Sequence, residues 1–143
     1  MSSALDRLKD ITHKMSSYEM ARKENMLLLK QIYTEIGIYK KVESFENLFD
    51  FKAINLSGAS LQSENLGEIK EGKYLQILAI SYDKEANVKT TNVSLGYFGR
   101  AEKVEAGLKD KIVEFILRYR FEKSFMTLEH YHIMLAPLRA KNG

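Results

Sequence analysis

The sequence predicts an α+β fold: a long N-terminal coiled-coil helix, then a small domain in which a three- to four-stranded antiparallel sheet is packed by C-terminal helices. Three observations predict it. An unbroken heptad seam fills the first forty residues, apolar and polar residues alternate between positions 51 and 98, and a helical period returns from residue 101. The chain has 143 residues, 45% hydrophobic and 29% charged, enough apolar material for a core.

The seam comes first. Its a-positions are Met1, Leu8, Met15, Arg22, Leu29 and Ile36, and its d-positions are Ala4, Ile11, Tyr18, Asn25, Ile32 and Tyr39. Only Arg22 and Asn25 interrupt its apolar character, and no Pro or Gly occurs before Gly37. A period of 3.5 kept over this length marks a left-handed coiled coil, which needs a partner helix. Leu8, Ile11, Met15, Tyr18, Arg22, Asn25, Leu29, Ile32, Ile36 and Tyr39 are therefore the expected dimerisation residues. In a parallel homodimer the flanking residues Lys14 and Glu19, and Glu35 and Lys40, attract. Arg22 and Asn25 would fix register and strand number. The expected boundaries are residues 1–43 for the helix and 44–143 for a globular protein-binding domain.

Within the second part, Val42–Asp50 reads as a short helix end or turn with Phe45, Leu48 and Phe49 inward, and Phe51–Leu56 as a first strand. Ser57–Ser60 breaks it, and the polar, Gly-bearing stretch 62–72 is a loop or hairpin connection. Lys73–Tyr82 is the strongest strand, Asp83–Asn87 a turn, and Val88–Phe98 the returning strand with Val93, Leu95 and Tyr97 on one face. From Ala101, the residues Val104, Leu108, Ile112, Phe115, Ile116 and Tyr119 share a helical face. The segment Phe125–Ala136 fits both periods. A terminal helix with Thr127 as N-cap is preferred, ended by Pro137, the lone proline.

Chemistry-bearing motifs are few. With no cysteine, a disulfide framework, a thiolate metal site and a thiol nucleophile are excluded. His130 and His132 lie adjacent to Glu129, but in a helix their rings diverge, and no third ligand stands at a recognisable spacing. No Gly-x-Ser-x-Gly or Walker pattern occurs. The chain is thus expected to be no enzyme and to use no metal or cofactor. Lys and Arg number 22 against 19 Asp and Glu, split as 8 and 6 in residues 1–43 and 14 and 13 in residues 44–143. No basic lobe emerges, which argues against nucleic acid as a partner. No apolar run approaches the ~18 residues of a membrane span, and the first twenty residues do not read as a signal peptide.

A long helix leading into Ser44–Asp50, a meander of strands and an apolar helix resembles the RWD-type domains of kinetochore proteins. The stretches Lys111–Ile116, Phe121–Phe125, Leu128–Tyr131 and Ile133–Leu135 resemble the closing helices of the monopolin subunit family (chromosome segregation in meiosis protein one). Leu75–Asp83 is similar to the globular end of the Spc24–Spc25 pair. This resemblance implies a dimeric adaptor or crosslinker in chromosome segregation, nuclear in location, whose domain binds partner peptides through Phe125, Leu128, Tyr131 and His132. Its partners would be itself, or a paralogous coiled-coil chain, and a target peptide. The alternatives are a cytoplasmic, nucleic-acid-associated protein of a phage or plasmid, acting through Arg118, Arg120 and Lys123, and a small assembly or secretion chaperone.

Overall fold

A computed structural model describes residues 3–82 and 90–142. Met1, the side chain of Met15, the turn Asp83–Asn87 and Val88 lie outside the described residues. Helix α1 spans Ala4–Glu35; strands β1 (Ala53–Ser57), β2 (Tyr74–Tyr82) and β3 (Thr90–Arg100) follow, then helix α2, Ala106–Asn142. The sheet is antiparallel with order β1-β2-β3.

Helix α1 starts at a capping box. The Asp6 amide donates to Ser3 Oγ at 3.1 Å and the Ser3 amide to Asp6 Oδ2 at 3.3 Å, satisfying two otherwise orphaned donors. It stops at Gly37, whose φ of 80° lies in the left-handed region that glycine enters without a Cβ penalty. A single-turn helix, Ile38–Lys40, turns the chain toward the sheet with Ile38 fully buried.

The sheet buries one face. Ile54, Leu75, Ile77, Ala79 and Leu95 point into the core. Ile112, Phe115, Ile116 and Tyr119 of α2, Leu29, Ile32 and Tyr33 of α1, and Ile36 just past its end complete it. An aromatic chain ties the helices together across the 3-10 turn Phe45–Asp50. Tyr33 meets Phe45 edge-on at 5.4 Å, Phe45 meets Phe49 at 5.8 Å, and Phe49 stacks on Tyr119 at 5.6 Å.

Four expectations need correction. The N-terminal helix is not a coiled-coil stalk awaiting a second chain, because α1 lies antiparallel along α2 of the same molecule. Glu35 pairs with Lys111, Asn25 with Arg118, Arg22 with Glu122 and Tyr18 with Phe125. As the residue number rises on α1 it falls on α2, and from Tyr18 onward the seam has found an intramolecular partner, while Leu8 and Ile11 stay exposed. Second, the sheet, whose three strands fall within the expected three to four, is covered by one C-terminal helix rather than two. No glycine or proline interrupts 108–136, so α2 runs on; Thr127 is no N-cap but donates back to the Lys123 carbonyl at 2.9 Å. Third, Pro137 sits inside α2 rather than after it. Fourth, Val93, Leu95 and Tyr97 do not share a face. Between Ile77↔Gly96 and Leu78↔Ser94 the register shifts, leaving Leu95 as the extra residue of a bulge. Leu95 is buried, while Tyr97 turns outward onto Tyr74 with ring centres 5.8 Å apart.

Candidate docking face on the paired helices

The face is built where the two helices leave the sheet. The last contacts of the core are polar. Asn25, 3% exposed, donates from Nδ2 to the Arg118 carbonyl at 2.9 Å and accepts from Arg118 Nη1 at 3.0 Å. Arg118 Nε also donates to Glu114 at 2.7 Å. One turn farther out, Arg22 Nε donates to both carboxylate oxygens of Glu122, at 2.9 and 3.1 Å, and Arg22 Nη1 reaches Glu129. Hydrogen bonds to Glu122 first, then to Glu129, hold the Arg22 guanidinium above its ordinary range. Arg22 also lies 5.3 Å from the centre of the Phe125 ring, which Phe121 meets edge-on at 5.0 Å.

Beyond this clasp the apolar surface is uncovered. On α1, Leu5, Leu8 and Ile11 are 59, 60 and 55% exposed. On α2, Leu128, Tyr131, Ile133, Met134, Leu135 and Leu138 are each more than half exposed.

The residues singled out in sequence separate accordingly. Leu29, Ile32 and Ile36 are globular core, Asn25 and Arg22 are the clasp, and Tyr18 leans on Phe125 at 6.4 Å. Leu8 and Ile11 stand on the exposed outer turns, and Tyr39, 43% exposed, lies past the end of α1 in the turn Ile38–Lys40. Of the partner-binding set, Phe125 is half-buried in the clasp, whereas Leu128, Tyr131 and His132 are exposed on α2. Sequence reasoning singled out Leu128 and Tyr131 but missed that they belong to one continuous outward stripe of α2 reaching Leu138. Its spacing was visible, but dividing 101–136 into two helices hid it.

Other surfaces are of a different kind. Met26, Leu27, Phe45 and Phe49 line an apolar groove with Lys23 and Lys30 at its rim. The basic cluster Arg118, Arg120 and Lys123 is bonded within the chain. Arg120 donates to Asn55 Oδ1 at 3.0 Å, and Lys123 to the Phe49 carbonyl at 2.8 Å. Burial lowers the Lys123 pKa from its ordinary value. Among the described residues no three His, Asp or Glu side chains are placed to hold a metal ion, and no helix is long and apolar enough to cross a membrane. No protein-family model, curated protein or solved structure matches this chain.

Proposed function

We propose that the chain is a non-enzymatic adaptor: its α+β body is a rigid seat, and the outer turns of α2 are where a partner protein docks. One observation carries this. Leu128, Tyr131, Leu135 and Leu138 are 65, 59, 55 and 55% exposed on the same helix whose first half is sunk in the core. Uncovered apolar side chains in such number on one rigid element mark an interaction site rather than ordinary surface. Aromatic and aliphatic anchors beside arginine are the composition of binding hot spots.

A photo-crosslinker placed at Tyr131 tests the reading in cells. The adaptor role predicts cross-links to a second protein that vanish in the Leu128→Asp variant while its circular dichroism is unchanged. Cross-links that persist in the variant, or none above background, overturn it. The resemblance adds a kinetochore setting to the proposal. A fluorescent fusion at centromeres supports that extension, and a diffuse cytoplasmic one overturns it.

A further inference from the structure

The exposed side chains of α2 are ordered. Leu117, Phe121, Leu128, Tyr131, Leu135 and Leu138, with Ser124 in the remaining place, follow one another at alternating steps of four and three. That is a heptad seam, and it faces away from the core. Ile112, Phe115, Ile116 and Tyr119, all buried, occupy the opposite side of the helix. The seam residues are 39, 39, 65, 59, 55 and 55% exposed in chain order, a continuous apolar stripe of the kind that marks an interaction surface.

The flanks of the seam decide what can cover it. Taking Phe121, Leu128 and Leu135 as a-positions, the e-positions are Arg118, Phe125, His132 and Arg139, and the g-positions are Arg120, Thr127 and Met134. None is acidic. Self-pairing in parallel would set Arg120 against Phe125, Thr127 against His132 and Met134 against Arg139, and no pair attracts. Antiparallel self-pairing sets e against e and g against g, so charged neighbours are all of one sign. Arg118 is already balanced by Glu114, whereas among the described residues the acceptors of Arg120 are neutral oxygens of Ile54 and Asn55. Arg139 is exposed on the outer turns. Glu24 lies at the head of the seam, in a groove it shares with Leu117 and Phe121, so the basic flank begins one turn farther along.

We infer that the α2 seam docks an amphipathic helix with acidic flanks, supplied by a different protein and not by a second copy of this chain. The inference rests on the adaptor reading and names the partner's chemistry.

Two synthetic four-heptad helices, with Leu at a and d and either Glu or Lys at e and g, are titrated into the 143-residue chain with anisotropy as the readout. The Glu peptide should bind at least tenfold tighter than the Lys peptide. Its advantage should shrink in 0.5 M salt and in Arg139→Glu. Leu135→Asp, outside the core, should weaken it at least tenfold without loss of helicity. Equal binding of both peptides overturns the acidic partner but leaves the adaptor reading standing. A dimer in light scattering that the Glu peptide does not dissociate overturns it in favour of a second copy. A monomer that binds neither peptide overturns both the inference and the placement of the adaptor's site on α2.

Discussion

Asn25 and Arg118 exchange two hydrogen bonds, the amide of one reaching the backbone carbonyl of the other and the guanidinium returning to the amide oxygen, at 2.9 and 3.0 Å. This exchange turns a polar interruption of a heptad seam into a lock between two helices of one molecule. Asn25 cannot be replaced by an apolar residue without leaving a half-buried carbonyl and a guanidinium short of a partner. Asn25→Leu should cost about 1–3 kcal/mol, read as a lower urea midpoint at unchanged slope. A midpoint equal to that of the parent protein would show that the exchange contributes nothing.

Arg22 and Glu122 form the second lock. The Glu122 side chain is 6% exposed and Arg22 27%, so the carboxylate depends on its cation more than the reverse. Arg22→Met should destabilise by about 2–3 kcal/mol, less than a fully buried pair because water reaches the arginine. Adding Glu122→Leu should recover most of the loss, since an apolar pair leaves no uncompensated charge. Urea denaturation of both single variants and the double closes the cycle, and strictly additive losses would refute the pairing.

Gly58 is fixed by geometry on both counts. Its φ is +90°, and a Cβ there would stand 2.5 Å from the Tyr74 carbonyl oxygen, a backbone atom that cannot yield. Gly58→Ala should therefore cost about 2–4 kcal/mol through displacement of β2 from β1. Thermal unfolding checks this, and Gly72→Ala is a control, since nothing lies within 4 Å of its Cβ although its φ is also positive. The difference between the two isolates the clash from the dihedral strain.

Alkaline pH should loosen the core. Burial, with charges at Tyr82 and Asp50 adding to it, pushes the Tyr119 phenol well above its ordinary 10.0, and burial also raises Tyr33. The folded chain then keeps protons that the unfolded chain has released. Above about pH 10 the unfolded state binds fewer protons than the native one, and stability falls as pH rises. Below that value both phenols are protonated in either state and contribute no slope. Tyr119→Phe should flatten the decline between pH 10 and 11.5 without abolishing it, because Tyr33 remains. An unchanged decline would mean the phenol of Tyr119 does not carry it.

The core of the sheet was legible from residues: β2 alternates as a half-buried strand must, and Phe45 and Leu48 point inward as their spacing demands. The seam of α1 was legible too, but its partner was not. A heptad pattern specifies that a helix is needed and is silent on whether it comes from the same chain. Starting a separate terminal helix at Thr127 removed the candidate, because it cut the one long helix that could lie along α1. In the fold Arg118, Arg120 and Lys123 bond sideways, to Glu114, Asn55 and the Phe49 carbonyl, and the helix continues. The bulge at Leu95 was invisible for a related reason. Alternation predicts faces only while register holds, and one inserted residue exchanges them.

The central claim is that α1 folds back along α2 within one molecule, with the outer stripe of α2 left exposed. The native chain has no cysteine, so spin labels at Ser17→Cys and Met126→Cys report on that pairing alone. With helix axes about 8–10 Å apart, pulsed dipolar spectroscopy should give one distance, under roughly 25 Å. That distance should persist when labelled protein is diluted into a tenfold excess of unlabelled chain. A distance well beyond that range, or a short one that disappears on dilution, would contradict the account.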